Sequence, residues 1–245
     1  MIVFLTSSPS GPLGEPNDGR FLDGKNGFVD NLKQYWKHQM RGLIISADPD
    51  GYESNDEMRD FFTDAFAHSQ VPVTGFDLWD HRCAISGTEP GMLAGYDVIL
   101  LGGGHVPTQN AYFHEIHLRE QMRGFAGMVI GISAGTMNSA DVVYAQPELP
   151  GESLDPEFRR YLQGLGLTEL MVLPHFQMVR DFILDGRRLI EDITFSDSYG
   201  RQFFALTDGS YIRIAQGESR LYGRGYRIAD GQMTQICEDG ASICL

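Results

Sequence analysis

The sequence has few cysteines and no long apolar segment. Its 3 cysteines, Cys83, Cys237 and Cys244, are an odd number without metal-type spacing, so we expect no disulfide. This small, odd number of cysteines favours a reducing, cytoplasmic setting. No run approaches the roughly 18 apolar residues that a membrane-spanning helix needs, and the opening residues 1–6 lack the basic region of a signal peptide. We therefore expect a cytoplasmic protein with no membrane partner.

Basic residues are also scarce. The 245 residues include 19 Lys and Arg against 33 Asp and Glu, which gives a formal net charge of −14. Nucleic-acid binding depends on a clustered excess of Lys and Arg, and no basic stripe is visible. An anionic small substrate is still allowed, because a few arginines in one pocket can outweigh a diffuse surface charge. The composition thus argues against a nucleic-acid partner.

Short apolar strands alternate with helical segments along most of the chain. The expected strands are 2–6, 42–46, 71–78, 96–101, 128–132, 169–175 and 203–207. The expected helices are about 27–40, 54–69 and 186–196, with one more that Pro107 starts. Unbroken apolar strands of this kind indicate a parallel sheet buried on both faces. Residues 1–245 are therefore predicted to form a single α/β domain, a three-layer sandwich around a mainly parallel sheet.

Three local patterns refine this prediction. Ser54 and Glu57 form a capping box that would open the second helix. The stretch from the first strand to about residue 26 is rich in Gly, Pro, Asn and Asp, which indicates a long loop of the kind that is often functional. Residues from about 210 to 245 predict a C-terminal antiparallel β-meander, because short alternating segments are divided there by Gly-containing turns. Its strands are expected at 211–214, 220–222, 226–228 and 233–236.

The most informative segment is residues 127–138, with the sequence GMVIGISAGTMN. An apolar strand runs into Gly-x-Ser-x-Gly and then into a helix, which is the layout of a nucleophile elbow. Gly131 and Gly135 permit the tight turn. Ser133 is the candidate nucleophile, and the amide of Ala134 would point at an oxyanion formed there. The alternative is a strand-to-helix connection in which Ser133 is only an N-cap.

Further strand ends carry residues that could act with Ser133. Ligands bind beyond the carboxyl ends of parallel strands, and two such ends carry His175 and Asp208. His175 would accept the proton of Ser133, and Asp208 would hold the imidazole in the productive tautomer. Taken alone, His175 could be a polar loop residue, and Asp208-Gly209 could be only a tight turn.

A third strand end carries Gly102-Gly103-Gly104. The segment lacks both phosphate-binding glycine patterns, so a nucleotide site is not expected. The amides of Gly103 or Gly104, joined by that of Ala134, would instead form an oxyanion hole.

The order Ser133, His175, Asp208 differs from that of α/β-hydrolases, in which the acid precedes the histidine. It resembles the class I glutamine amidotransferase-like fold. With serine as nucleophile, it resembles the peptidase E family of aspartyl dipeptidases, which has cyanophycinase as a relative. The most specific matching segments are 101–104 (LGGG), 131–135 (GISAG) and 173–176 (LPHF). The resemblance extends from the first strand to about residue 214.

The resemblance implies a serine peptidase for short peptides or isopeptides, with N-terminal aspartate as the expected preference. In that family the glycine turn supplies oxyanion donors, the elbow serine attacks the peptide carbonyl, and the later histidine is the base. These roles correspond to Gly103, Gly104, Ser133 and His175. The family's Glu-Gly turn is replaced here by Asp208 and a glycine, so Asp208 is the expected third member. Its rivals for this role are Glu148, Glu191 and Asp192.

The expected substrate contacts also depart from the family. Its Gly-Gly-Gly-Asn-Thr is replaced by Gly-Gly-Gly-His-Val, so His105 either contacts substrate or caps the next helix. Arg187 and Arg188 follow the histidine at the distance where the dipeptidases keep a carboxylate-binding arginine, and an exposed helix face is the alternative. His114 and His117 are three residues apart without an evident third ligand, so no metal site is expected.

Two other functions remain open. One is a catalytically silent amidotransferase-like protein that binds a small ligand or partner, and the other is an esterase or amidase that uses the same triad. No cofactor is expected. The expected partner is a small peptide substrate, and a homodimer is open as the state of assembly.

Overall fold

The computed structural model describes residues 1–11, 21–83, 85 and 91–245. Its strands are β1 Ile2–Thr6, β2 Met40–Ile45, β3 Val73–Trp79, β4 Val98–Leu101, β5 Met128–Ile132, β6 Val142–Tyr144, β7 Tyr161–Gln163, β8 Met171–Leu173, β9 Ile183–Leu184, β10 Arg187–Arg188, β11 Gln202–Leu206, β12 Tyr211–Ala215, β13 Glu218–Tyr222, β14 Gly225–Ala229, β15 Gln232–Cys237 and β16 Ser242–Cys244. Part of the expected loop after β1, residues 12–20, lies outside the described residues.

The helices are short apart from two. They are α1 Phe28–Lys33, α2 Tyr52–His68, α3 Val106–Glu115, α4 Leu118–Met122, α5 Ala134–Asn138, α6 Phe176–Val179 and α7 Phe195–Asp197, with a 3-10 turn at Lys25–Gly27 and a π-helical turn at Leu189–Thr194. In the part of the chain that the structure describes, no helix has both the length and the apolar character needed to cross a bilayer.

The main sheet has eight strands in the order β16-β13-β12-β1-β5-β4-β2-β3. The five strands from β1 to β3 in this order run parallel, and β12 pairs antiparallel with the other edge of β1. Side chains alternate along each strand, so Val3 and Leu5 pack into one apolar cluster and Phe4 packs into another. The predicted mainly parallel sheet, buried on both faces, is therefore confirmed.

A second, four-stranded sheet was not expected. Its order is β15-β14-β11-β8, with β8 and β11 parallel and the others antiparallel. The strands before His175 and Asp208 thus belong to this sheet and not to the main one. The expected C-terminal meander also divides between the sheets, because β12 and β13 extend the main sheet while β14 and β15 extend the second. Strand β12 thereby pairs with β1, and β14 pairs with β11.

Two predicted helix boundaries were wrong. Helix α1 ends at Lys33, and the chain then turns through Gln39, which has a left-handed φ of 60°. Helix α2 begins at Tyr52, so Ser54 lies inside its first turn and donates a hydrogen bond back to the Gly51 carbonyl. Ser54 and Glu57 therefore do not form the predicted capping box, because the helix starts before them.

The segment predicted as a helix from 186 to 196 begins instead with a hairpin. Asp185 and Gly186 both have left-handed φ angles, 52° and 78°, and they join β9 to β10. Left-handed conformations at both central residues match a two-residue hairpin turn, for which Asp-Gly is a favoured sequence. Arg187 and Arg188 consequently lie on a strand, and helical structure starts only at Leu189.

Candidate active site

Ser133 lies in the sharp turn between β5 and α5. Its φ of 49° and ψ of −109° are unusual for a residue with a side chain, which marks a strained backbone. Ser133 occupies the N-cap position of α5, yet its side chain makes no capping hydrogen bond. An ordinary N-cap serine has an extended backbone and bonds an amide of the first turn. The conformation therefore favours the elbow over the N-cap interpretation.

The two elbow glycines are needed because the backbone is crowded at both positions. A Cβ on Gly135 would overlap the carbonyl of Leu101 at the end of the neighbouring strand β4. A Cβ on Gly131 would lie 2.8 Å from the Cα of Thr136. Neither glycine has a left-handed φ, so the requirement is for close approach, and the unusual backbone angle falls on Ser133 itself.

The glycine turn after β4 lies beside the elbow. A Cβ on Gly103 would contact the Cβ of Ser133 at 3.4 Å, and the Gly135 amide donates to the Gly102 carbonyl at 3.1 Å. The amides of Gly103, Gly104 and Ala134 donate to no group of the described residues. Unpaired amides beside a serine can stabilise an oxyanion, so these three remain the candidate donors.

His175 and Asp208 are in direct contact. His175 Nδ1 lies 2.7 Å from Asp208 Oδ1, and the exposed fractions of the two side chains are 15% and 1%. His175 follows β8 with a left-handed φ of 54°, and Asp208 follows β11. A buried carboxylate on Nδ1 leaves Nε2 as the ring nitrogen available to a substrate or nucleophile. The order of residues along the chain led to this pair, and the structure brings the two side chains together.

Two residues that the sequence did not single out bind the same carboxylate. The Ser7 hydroxyl donates to Asp208 Oδ1 at 2.5 Å, and Gln177 Nε2 donates to Oδ2 at 2.6 Å. Ser7 directly follows β1, and Gln177 is two residues after His175. The position of Ser7 at a strand end and that of Gln177 close to His175 are signals, but serine and glutamine are too common at such positions for these signals to be decisive.

The end of β1 joins the turn at Ser133 to His175 and Asp208. The Ser133 amide donates to the Thr6 carbonyl at 3.2 Å, and the His175 amide donates to Ser7 Oγ at 2.7 Å. Within the described residues, no hydrogen bond connects Ser133 Oγ to His175. The structure therefore holds Ser133 and His175 through adjacent residues of one strand end, without a direct bond between them.

His105 follows the glycine turn and is held by two side chains. Its Nδ1 lies 2.8 Å from Thr108 Oγ1, and its Nε2 lies 2.8 Å from Glu152 Oε1. It stands at the N-cap of α3 but makes no capping hydrogen bond. Glu148 belongs to the same group, because its amide donates to Glu152 Oε2. The residue as a whole is exposed, but desolvation of its carboxyl together with the charge of Glu152 raises its pKa to about 7. Both ring nitrogens of His105 are thus already engaged by the protein.

The predicted carboxylate-binding arginines are both exposed. Arg188 forms an ion pair with Asp192 at 2.7 Å, and Arg187 Nη1 lies 3.4 Å from the Ser153 carbonyl. Neither is the buried cation that would pair most strongly with a substrate carboxylate.

Of the rival candidates for the third member of the triad, Glu191 is exposed, and the Asp192 carboxylate is bound to Arg188. Among the described residues, no group of three or more His, Cys, Asp and Glu could hold a metal ion.

Comparisons with known proteins identify the fold. No protein-family model and no curated protein matches the chain. It is similar in structure to a peptidase from an acI-B1 Actinobacterium, with 17% identity, a TM-score of 0.62, and coverage of 100% of this chain and 96% of the other. It is also similar to a protein from Listeria monocytogenes EGD-e that is provisionally named peptidase E, with 15% identity, a TM-score of 0.54, and coverage of 96% and 98%. The fold predicted from the resemblance to peptidase E is thereby confirmed.

Proposed function

We propose that this protein is a serine peptidase that hydrolyses short peptides, with Ser133 as nucleophile, His175 as general base and Asp208 as the residue that orients the base. The main support is the buried contact between Asp208 and His175 Nδ1, which Thr6 and Ser7 at the end of β1 connect to the turn at Ser133. Both structurally similar proteins carry peptidase names, which agrees with the proposal.

In the first step, Ser133 Oγ bonds to the carbonyl carbon of the scissile peptide. Its proton passes to His175 Nε2, and the electron pair of the carbonyl π bond moves to the oxygen. The imidazolium that forms keeps its Nδ1–H on Asp208, whose negative charge stabilises it. The amides of Ala134 and of Gly103 or Gly104 donate to the new oxyanion.

In the second step, the carbon–nitrogen bond breaks and the leaving amine takes the proton from His175 Nε2. This leaves an acyl group on Ser133. A water molecule then loses a proton to the same Nε2 as it attacks the ester, and the acid product departs with the Ser133 hydroxyl restored. Catalytic hydrogen bonds often tighten only when substrate binds, so Ser133 and His175 are expected to approach each other in the complex.

The proposal also includes a substrate preference, for peptides with an N-terminal aspartate. It needs a cation near the substrate's first side chain, and Arg187 is the better candidate because Arg188 is already paired with Asp192. A comparison of Asp-Leu, Ala-Leu and Leu-Leu tests it. Equal kcat/KM for the three dipeptides would remove the preference and leave a general dipeptidase. Cleavage of an ester without cleavage of any dipeptide would favour the esterase or amidase alternative.

The nucleophile is tested with a fluorophosphonate, which forms a covalent bond with activated serines. We expect the wild-type protein to be labelled on the peptide that contains Ser133, and Ser133→Ala to lose this label. Ser54→Ala is the matched control, because Ser54 is an exposed serine in α2, and it should label at the wild-type rate. Label retained by Ser133→Ala would refute the assignment, and an unlabelled wild type would favour a catalytically silent protein.

A further inference from the structure

The proposed nucleophile and its base stand on different sheets. Ser133 follows β5 of the main sheet, whereas His175 and Asp208 follow β8 and β11 of the second sheet. Proton transfer needs the two groups within hydrogen-bond reach, about 2.6–3.2 Å. A part of the chain that contacts both sheets must therefore set the distance between Ser133 and His175.

On the main-sheet side, this part is Thr6, the last residue of β1. Its carbonyl accepts hydrogen bonds from the Ser133 amide at 3.2 Å and from Thr136 Oγ1 at 2.8 Å. Its own hydroxyl donates to the Gly131 carbonyl at 2.7 Å. Thr6 is thus bonded to the elbow on both sides of the candidate nucleophile.

On the second-sheet side, the part is Ser7, the next residue. Ser7 is 0% exposed, and its hydroxyl donates to Asp208 Oδ1 at 2.5 Å while accepting the His175 amide at 2.7 Å. Its own amide donates to the Ser210 carbonyl at 3.4 Å. One hydroxyl therefore bonds to both the acid and the base.

Gln177 completes the support of the carboxylate. Its Nε2 donates to Asp208 Oδ2 at 2.6 Å, and its Oε1 accepts the Asp208 amide at 3.0 Å. With Ser7 bonded to one oxygen and Gln177 to the other, rotation of the carboxylate about its Cβ–Cγ bond would break a hydrogen bond in either direction. Because His175 Nδ1 is bonded to this carboxylate, the plane of the imidazole is restrained as well.

We infer that Ser7 and Gln177 are positioning residues that aim the Nε2 atom of His175 at Ser133. The inference rests on the proposed function in that it assigns a purpose to this alignment. Neither residue is expected to contact the reacting atoms. Each acts through Asp208, and Ser7 acts also through the backbone of His175.

Loss of either support should slow the reaction of Ser133 without weakening the binding of the probe. In Ser7→Ala, the His175 amide and Asp208 Oδ1 each lose a partner, so we expect the maximal labelling rate with a fluorophosphonate to fall about 10- to 100-fold. The half-saturating probe concentration should stay within twofold of wild type. In Gln177→Met, which keeps the length without the amide, we expect a fall of about tenfold.

Ser198→Ala is the matched control for Ser7→Ala. Ser198 is also 0% exposed, and its hydroxyl likewise donates one hydrogen bond, to Phe195, and accepts one from a backbone amide, that of Gly231. The two variants should lose similar thermal stability, but Ser198→Ala should label at the wild-type rate. Ser7→Thr, which retains the hydroxyl, should recover most of the rate that Ser7→Ala loses.

A second readout does not depend on activity. The proton on His175 Nδ1 should give a far-downfield proton resonance in the wild type, which His175→Gln assigns by its loss. We expect this resonance to shift or broaden in Ser7→Ala and Gln177→Met, and to be unchanged in Ser198→Ala. If Ser7→Ala does not fold, the surface variant Gln177→Met provides the test.

An unchanged resonance together with an unchanged labelling rate in both Ser7→Ala and Gln177→Met would overturn the inference. So would equal slowing by Ser7→Ala and Ser198→Ala, because that result would indicate a general loss of stability. If the wild type is not labelled at all, the proposed function fails, and the resonance alone decides whether Ser7 and Gln177 position the imidazole.

Discussion

Replacement of Asp208 by Asn tests the proposed mechanism most directly. The carboxylate accepts hydrogen bonds from Ser7, His175 and Gln177, and its side chain is 1% exposed. Asparagine keeps the shape of the side chain but replaces one oxygen with an amide that donates. No orientation of this amide can satisfy all the donors that surround it.

The amide can take two orientations, and each one impairs catalysis. With its oxygen towards His175, its NH₂ group meets the Nε2 donor of Gln177, which leaves the buried NH₂ of the asparagine without an acceptor at a cost of about 1–3 kcal/mol. With its NH₂ group towards His175, the imidazole must carry its proton on Nε2 and cannot accept the proton of Ser133. The second orientation also leaves the Ser7 hydroxyl without the acceptor that it has on Oδ1, so each orientation carries an unpaired donor and only the first holds the productive tautomer.

These costs set the expected loss of rate. The unpaired donor of the productive orientation weakens the network that aligns the imidazole by about 1–3 kcal/mol, which corresponds to about 5- to 150-fold in the aligned population, at about 1.36 kcal/mol per tenfold change. The carboxylate charge no longer stabilises the imidazolium, which removes a charge-assisted hydrogen bond worth about 1.5–3 kcal/mol. Together they predict a decrease of about 10²- to 10⁴-fold, and the upper value matches the effect of the same substitution in a serine protease triad.

The assay is the fluorophosphonate labelling rate, supported by kcat on any peptide that the wild type cleaves. Asp192→Asn is the matched control, since Asp192 is exposed and pairs only with Arg188 among the site residues, and it should change the rate by less than twofold. Near-wild-type labelling of Asp208→Asn, or a larger loss in Asp192→Asn, would show that Asp208 does not orient the base.

Two further predictions concern stability. Gly135→Ala places a methyl group against the Leu101 carbonyl, so we expect a loss of about 3 kcal/mol or more in the free energy of unfolding. Gly124→Ala should be nearly neutral in the same urea titration, because no atom of the described residues lies within 4 Å of the added methyl group. Equal effects of the two substitutions would contradict the crowding argument. Desolvation of the Glu148 carboxyl and the charge of Glu152 raise the pKa of Glu148 to about 7, so the folded state binds its proton more tightly than the unfolded state. Stability should therefore fall as the pH rises from about 4.5 through 7. Glu148→Gln should therefore raise the melting temperature relative to wild type at pH 8 but not at pH 4, and an equal difference at both pH values would refute this assignment.

Sequence alone determined the features that depend on neighbouring residues. The sequence predicts the strand at 128–132, the turn at Ser133 and the helix after it at their observed positions. This is possible because the apolar run that forms the strand and the small residues that permit the turn lie within a few positions of each other. The start of α3 at Val106–Pro107 could also be predicted from the local sequence, since proline favours the first turn of a helix. The contact of His175 with Asp208 was reached by chain order and family resemblance, and its catalytic role stays a prediction.

Only the tertiary structure decided how distant segments meet. Ser7 and Asp208 are 201 residues apart, and Ser7 and His175 are 168 apart, so nothing near Ser7 in the sequence marks it as their partner. The division into two sheets also escaped prediction, because the apolar pattern of a strand specifies that it is buried but not which neighbour it pairs with. Burial and pairing are properties of the whole chain. They bring together His175, Asp208 and the residues that support them, and they connect this group to the turn at Ser133, the candidate nucleophile that local sequence indicates.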